Sequence, residues 1–487
     1  MFCSGKMDSR FRGNDVPRLR GNDVEPLMRT TLAFLLAAGM AFALAACSSR
    51  GHTLDTAPGV APDSSRPGDI RDVDPRGVYR AAGLLVHGAP LGFVGNVSFL
   101  GSGSPDSTLV LVSIALANRA LEFRPEGALQ RASYTVEIDF HAKGSDSTVA
   151  SVLAHESVRV ASARETSASE PNIIFEKLVP VPPGDYTMLL SVQDDRAPEA
   201  GSLRDSVTVP RIGARSLSSI VPVYSAAPRA SADGNPSFIA NPSATAVFGR
   251  DSVVKLYLEG YELPDSARLS IVLLDDSNER VLEDSVMLEK SDPIAAVVRE
   301  LSVARIGPGR FTAVASLAGS SDTVIAPLFV SFGPGIGILT FDEMLLRLRY
   351  FATPEQLRAL GATPRAERAA AWAQFWKETD PVSNTPEHEG LRDYFDRIAS
   401  ANRRFAGEGM DGWLTDRGKV YVALGAPDRI QVDDDRGTGV RATSQSWDYI
   451  DYDVRLVFVS DLGFDRWRLT PASELDFERA LQRARLH

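Results

Sequence analysis

Six histidines are the first side chains in this chain that could ligate a metal or move a proton, and their spacing argues against both roles. His52 sits in a Pro/Ser-rich stretch, His87, His141 and His155 fall among β-patterned runs, His388 lies near Glu387 and Glu389, and His487 ends the chain. None is in a His-Glu-x-x-His or His-x-His arrangement, the spacings that bring two imidazoles to one metal. His388 is expected in the solvated first turn of a helix. No Gly-x-Ser-x-Gly, P-loop or Gly-x-Gly-x-x-Gly sits in a strand–turn–helix context. Gly333-Pro334-Gly335-Ile336-Gly337 is glycine-rich, but it contains a proline and reads as a linker. Asp433-Asp434-Asp435 offers three carboxylates without the alternating spacing of a calcium loop, so a solvated turn is expected. A carboxylate pair for glycoside hydrolysis is a spatial feature, and nothing in the order of residues points to one. No catalytic residue, metal or cofactor is assigned, and a binding protein is expected over an enzyme.

Cysteine chemistry has one place to act. Residues 28–47 read MRTTLAFLLAAGMAFALAAC: a basic Arg29, an apolar run from Leu32 to Leu44, then Ala45-Ala46-Cys47. The run suits a signal h-region and is short for a bilayer span. Leu44-Ala45-Ala46-Cys47 is similar to a bacterial lipobox, which implies cleavage before Cys47 and lipidation of its thiol and new amine. Ser48, in place of Asp, implies the outer membrane. Residues 1–27 contain RGNDV twice and are expected to be a start called too early rather than a structural segment. Cys3 falls in that leader, so the mature chain has no thiol left for a disulfide, a zinc site or a nucleophile.

From residue 47 onward there are 46 basic against 59 acidic side chains and no cluster of five Lys/Arg. That excludes a nucleic-acid surface or a polybasic membrane patch. The chain is 44% hydrophobic, a globular composition.

These features imply an order of domains. Residues 47–75 hold Pro, Gly, Ser and Asp with almost no large apolar side chain, and read as a tether after the lipidated Cys. Residues 76–215 and 216–333 read as two β-sandwich domains. Strands are expected at 107–116, 133–140, 147–160, 185–194 and 205–210, then at 251–261, 267–276, 281–289, 295–303, 309–319 and 323–332. VPPGDYT in the first and IGPGRFT in the second each give Pro-Gly, one residue, an aromatic and Thr ahead of an alternating strand. The parallel suggests immunoglobulin-like sandwiches of similar topology, without a Cys-Trp-Cys signature.

Residues 334–487 change period to an α+β domain: helices at 341–362, 363–379 and 386–406, then a meander with strands at 419–425, 445–450, 454–461 and 465–470. Thr353-Pro354 and Thr363-Pro364 look like N-caps followed by proline at the first helical position. Between helices and sheet lies MDGWLTDRGKVYVALGAPDR (410–429). Gly412 permits tight entry, Trp413 is an apolar anchor, Thr415 and Asp416 can bond nearby backbone, Arg417 can pair with Asp416 or with a helix C-terminus, and Gly418 releases a strand. The stretch is expected to lock a corner between helix and sheet. Trp413, Asp416, Arg417, Gly425, Pro427, Asp428 and Arg429 are also the candidates for a recognition surface.

Gly412-Trp413-Leu414-Thr415-Asp416 resembles the name-giving motif of the GWxTD-domain proteins, and AQFWKETDPVSNTPEHEGLRDYFDRI, SQSWDYIDYD and LVFVSDLGFDRWRL follow the same family in order. The resemblance covers roughly the last 150 residues and implies no reaction. The resulting expectation is a lipid-anchored outer-membrane protein that binds envelope proteins and faces the periplasm, with exposure at the cell surface as the alternative. A glycan- or peptidoglycan-binding protein and an envelope hydrolase are the alternatives. A row of exposed aromatics on one sandwich face would favour the former, and a polar cleft near Asp416 and Asp428 the latter.

Overall fold

The computed structural model describes residues 75–167, 171–198, 200–229, 231, 234–263, 265–289, 293–320, 322–333, 336–382, 384–385, 388–408, 410–434, 443–460 and 466–485. The leader, the signal segment, Cys47 and the tether up to residue 74 lie outside the described residues, as do His52, Asp435 and His487.

Among the described residues, two sets of nine strands follow one another, each with seven long strands and two short ones of three or four residues. The long strands of the first are β1 (Phe93–Gly101), β2 (Thr108–Ala117), β3 (Leu129–Ala142), β4 (Thr148–Val160), β5 (Pro171–Val181), β6 (Gly184–Asp194) and β7 (Ala200–Val209). Those of the second are β8 (Val221–Ala227), β9 (Val253–Tyr261), β10 (Ala267–Asp275), β11 (Arg280–Leu288), β12 (Ile294–Ser302), β13 (Gly309–Leu317) and β14 (Thr323–Ser331). Sheet orders are β1-β2-β5 and β4-β3-β6-β7 in the first set, β8-β9-β12 and β11-β10-β13-β14 in the second. Over these seven long strands the two orders match position for position; the short strands differ, Arg124–Glu126 pairing with β3 in the first set and Thr245–Val247 lying parallel to β14 in the second. The pairings within these orders are antiparallel. The Pro-Gly parallel in the sequence marks one shared position, the start of β6 and of β13. There Gly184 lies over the ring of Tyr186, and Gly309 over the ring of Phe311.

Alternation explains the first core. Ala132, Tyr134, Val136, Ile138 and Phe140 of β3 point inward between polar neighbours and meet Met188, Leu190 and Val192 of β6. The strand β2 is apolar on both faces because both are buried. Val110, Val112, Ile114 and Leu116 enter the first core, while Leu109 and Leu111 pack with Val221, Val223, Phe238 and Tyr257 of the second set. At about 1.5–3 kcal/mol per fully buried large apolar side chain, this second face is a substantial joint.

A charged group sits inside that joint. The Glu259 carboxylate is fully buried. Arg229 grips it with Nε to Oε1 at 2.6 Å and Nη2 to Oε2 at 2.8 Å. Tyr257 donates its hydroxyl to Oε1 at 2.5 Å, and Tyr261 donates to Oε2. Arg229 Nη2 also donates to the Gly101 carbonyl of β1 at 2.6 Å, and the Gly101 N–H donates to the Tyr261 hydroxyl at 2.6 Å. Burial first, then the Glu259 charge, push both phenols above their ordinary pKa, so they stay protonated as donors.

The C-terminal region contains α1 (Phe341–Arg347), α2 (Pro354–Ala362), α3 (Arg368–Thr379), α4 (Glu389–Arg404), α5 (Asp416–Leu424), strands β15 (Arg429–Asp434), β16 (Thr443–Tyr449), β17 (Val454–Ser460) and β18 (Trp467–Leu469), and α6 (Pro471–Ala484). The strands form an antiparallel meander in chain order. Thr353 caps α2 through a capping box with Gln356, as the Thr-Pro signal suggests. Thr363 instead ends α2, and α3 begins only after a 3-10 turn at Arg365–Glu367. The expected strand 419–425 is a correction: it is α5, a helix, and the meander starts at Arg429. The run Val420–Leu424 is buried throughout, and a fully apolar run has no period to separate strand from helix.

The described ends of the expected linker are packed. Gly333 lies against the Trp376 ring, and Ile336 is buried. Phe332 meets Trp372 edge-on at 4.9 Å, and Phe248 meets Trp376 at 5.4 Å. The second set of strands and the C-terminal region therefore share one continuous core.

Breaking the buried grip tests its weight. Arg229→Ala strands the Glu259 charge and is expected to destabilise the protein by about 3–5 kcal/mol in urea unfolding. A loss under roughly 1 kcal/mol, the value of a surface pair, would show that the joint does not depend on it.

Candidate functional site

The GWxTD corner is built from backbone contacts. After α4, Gly412–Leu414 forms one 3-10 turn, and Thr415 caps α5. A Cβ on Gly412 would stand 2.1 Å from the Ala401 carbonyl oxygen, and one on Gly418 only 1.8 Å from that of Gly412. Glycine is required at both places because backbone meets backbone. Thr415 Oγ1 accepts from the Gly418 N–H at 2.9 Å and donates to the Gly412 carbonyl at 2.8 Å. Gly418 thus lies in the first turn of a helix, where a strand was expected, and the corner joins two helices.

Trp413 is 1% exposed, and its backbone N–H donates to Asn402 Oδ1 at 3.0 Å. The Arg349 guanidinium lies 4.6 Å from its ring centre and that of Arg347 5.9 Å. Asp416 accepts the Leu469 N–H at 2.8 Å and pairs with Lys419 at 3.2 Å. Lys419 reaches Glu474 of α6 at 2.7 Å. Burial opposes the Lys419 charge, but Glu474 and Asp416 outweigh it and hold its pKa above the ordinary value. Among the described residues the expected Arg417–Asp416 pair does not form, and Arg417 has a different partner. It donates to buried Glu408 at 2.9 and 2.7 Å and lies about 5 Å from the ring centres of Phe405 and Trp467. Glu408, Asn402, Arg349 and Glu474 complete the corner. No spacing rule marks them, because each reaches the corner from a different element.

The remaining candidates are less enclosed. Gly425 takes φ +84° as the cap of α5, and its carbonyl accepts the Tyr449 hydroxyl at 3.0 Å. Pro427 is half-buried, and exposed Asp428 accepts the Ile450 N–H at 2.7 Å. Only Asp428 and Arg429 of the expected recognition surface are open to solvent. Among the described residues, no three His, Cys, Asp or Glu are placed to hold a metal ion.

His388 also departs from expectation. It is buried, its Nδ1 accepts the Leu391 N–H at 3.0 Å to cap α4, and its Nε2 lies 2.9 Å from Thr379 Oγ1. Thr379 already donates to the Phe375 carbonyl, so Nε2 carries the proton of a neutral ring. Burial lowers the pKa of this imidazole.

Residues 337–459 match the family model of the GWxTD domain, so the C-terminal part of this chain carries a GWxTD domain. The match stops inside β17, although α6 beyond it supplies Phe477, Ala480 and Leu481 to the core. No curated protein matches the chain. Among solved structures, it is similar to dimeric latent PorU from Porphyromonas gingivalis at 11% identity and TM-score 0.23, covering 56% of this chain and 21% of that one. It is also similar to the BSP domain of a biofilm-associated protein at 7% identity and TM-score 0.16, covering 50% and 52%. A putative β-galactosidase from Bacteroides fragilis follows at 10% identity and TM-score 0.16, covering 47% and 34%. These scores are too low for any of the three to indicate a shared fold.

Two measurements probe the corner. Gly418→Ala is expected to cost upwards of about 3 kcal/mol, because a backbone carbonyl cannot yield as a side chain does. Thr415→Ala should cost about 1–2 kcal/mol as a lost cap. Equal losses in the two denaturation curves would refute the backbone account. For His388, the folded pKa is depressed, so its stabilisation is present above about pH 6.5, the unfolded value, and is lost as pH falls through the folded value. His388→Asn, which keeps a capping acceptor without titrating there, should flatten this part of the stability–pH curve. An unchanged curve would rule out His388 as its source.

Proposed function

We propose that this chain is an envelope lipoprotein, anchored through Cys47 to the periplasmic face of the outer membrane, whose GWxTD domain docks a protein partner on the free edge of its meander. The two sandwiches, read as immunoglobulin-like modules, act as a stiff stalk. The observation that carries this reading is apolar exposure at β15. Ile430 is 50% and Val432 57% exposed, and Ile450 in the adjoining turn is 74% exposed. Ile430 pairs with Trp447, and Val432 with Gln445, so the two apolar side chains share one face of a strand with no neighbour on its other side among the described residues. An unpaired edge with alternating apolar side chains suits an added extended segment: backbone groups give affinity and side-chain pockets give register.

A glycan platform has less support. Tyr224 is the one exposed aromatic among the described sandwich residues, and a stacking surface needs a row.

The test is in-cell crosslinking of full-length protein, wild type beside Ile430→Lys/Val432→Lys. Loss of a specific envelope partner with an unchanged melting curve is the expected result. The same partner captured equally well by both forms would defeat the edge as the docking site.

A further inference from the structure

We propose that the cleft between the second sandwich and helix α3 binds a small monocarboxylate through Arg368. This site is independent of the β15 edge. The cleft has a volume of about 50 Å³, and Arg310, Thr340, Phe341, Arg365 and Arg368 are among its lining residues. At roughly 15 Å³ per water-sized group, that is room for a carboxylate and one or two carbons.

The three arginines differ in what holds them. Arg365 is paired with Asp275 and donates to Ser277 Oγ at 2.9 Å. Arg310 donates to Glu343 at 2.8 Å and to the Ile338 carbonyl at 3.3 Å. Arg368 has no ion-pair or hydrogen-bond partner among the described residues; its guanidinium lies 4.7 Å from the centre of the Phe341 ring. The Nε atoms of Arg368 and Arg310 are both buried without an acceptor. A buried N–H left without an acceptor is unfavourable, so these two donors leave the cleft short of acceptor oxygens. A carboxylate supplies two, in the geometry that a guanidinium fork accepts bidentately.

Two further features select the ligand. Asp276 lines the same cleft, and its charge works against a second negative charge. A monoanion is therefore favoured over a phosphate dianion. Val281, Ile306 and Phe311 give the wall an apolar side for the hydrocarbon next to the carboxylate.

The experiment is titration calorimetry of the full-length protein in detergent, at fixed ionic strength, with propionate, propionamide and inorganic phosphate as probes. Saturable binding of the acid, none of the amide and weaker binding of phosphate are expected. Arg368→Gln should weaken the acid by roughly tenfold or more, the worth of one charge-assisted hydrogen bond. Arg358→Gln, an exposed arginine of α2, should leave affinity unchanged. If Arg368→Gln fails to fold, Arg368→Lys keeps the charge without the fork and should bind at intermediate strength. Equal affinity for acid and amide, tighter binding of phosphate, or an Arg368 variant matching wild type would each overturn the assignment.

Discussion

The C-terminal domain depends on two places where backbone touches backbone. Gly418 lies against the Gly412 carbonyl, and Gly412 against that of Ala401. Helix α4, the turn and helix α5 are thereby drawn closer than any side chain would permit. The other contacts of the corner follow from this approach. It sets Trp413 beneath Arg347 and Arg349, and it places Asp416, Arg417 and Lys419 where they reach β18, Glu408 and α6. Seen this way, the GWxTD pattern is a prescription for a close crossing: glycine to approach, tryptophan to fill, threonine to cap and aspartate to tie the sheet.

The same economy of space recurs at the joints between modules. Each joint combines an apolar layer with a charged tie: Arg229 with Glu259 at the first, Arg365 with Asp275 and Arg310 with Glu343 at the second. Ion pairs of this sort add little net stability over an apolar replacement, since desolvation offsets attraction. Geometry is where they count. Glu259 is satisfied only when Arg229, Tyr257 and Tyr261 all reach it, and Tyr261 is in turn satisfied by Gly101 of the first sandwich. A slipped interface would leave a buried carboxylate short of donors. The apolar layer holds the modules together, and the polar groups fix one angle between them.

Sequence pattern revealed the elements whose burial is one-sided. The strands β3, β6 and β13 alternate cleanly, and Thr353-Pro354 announces α2 because capping is local chemistry. Elements in contact on both faces were harder to read. The strand β1 carries Gly95, Asn96 and Ser98, small and polar groups that interrupt its apolar pattern, and β8 contains Pro222. Helix α5 shows no amphipathic stripe because neighbours surround it. His388, flanked by acidic residues, resembled a solvated turn. Its burial against Phe351 and Trp376 comes from distant parts of the chain, which local spacing cannot report. The motif residues were legible as a corner, whereas their partners Glu408, Asn402 and Glu474 were not.

Tryptophan and arginine at a surface are typical anchors for a partner. Here Trp413 and Arg417 are already engaged, one under two guanidiniums and the other between a carboxylate and two rings. A group whose contacts are complete within the fold has little left to offer a ligand. Recognition is better sought where the fold leaves a demand unmet. Along β15 the unmet demand is apolar, at side chains half or more exposed on an unpaired edge. In the α3 cleft it is for acceptor oxygens, at the buried Nε atoms of Arg310 and Arg368. The two demands differ in chemistry and lie on different elements. The shared motif makes the crossing, and the groups whose contacts stay incomplete lie outside it.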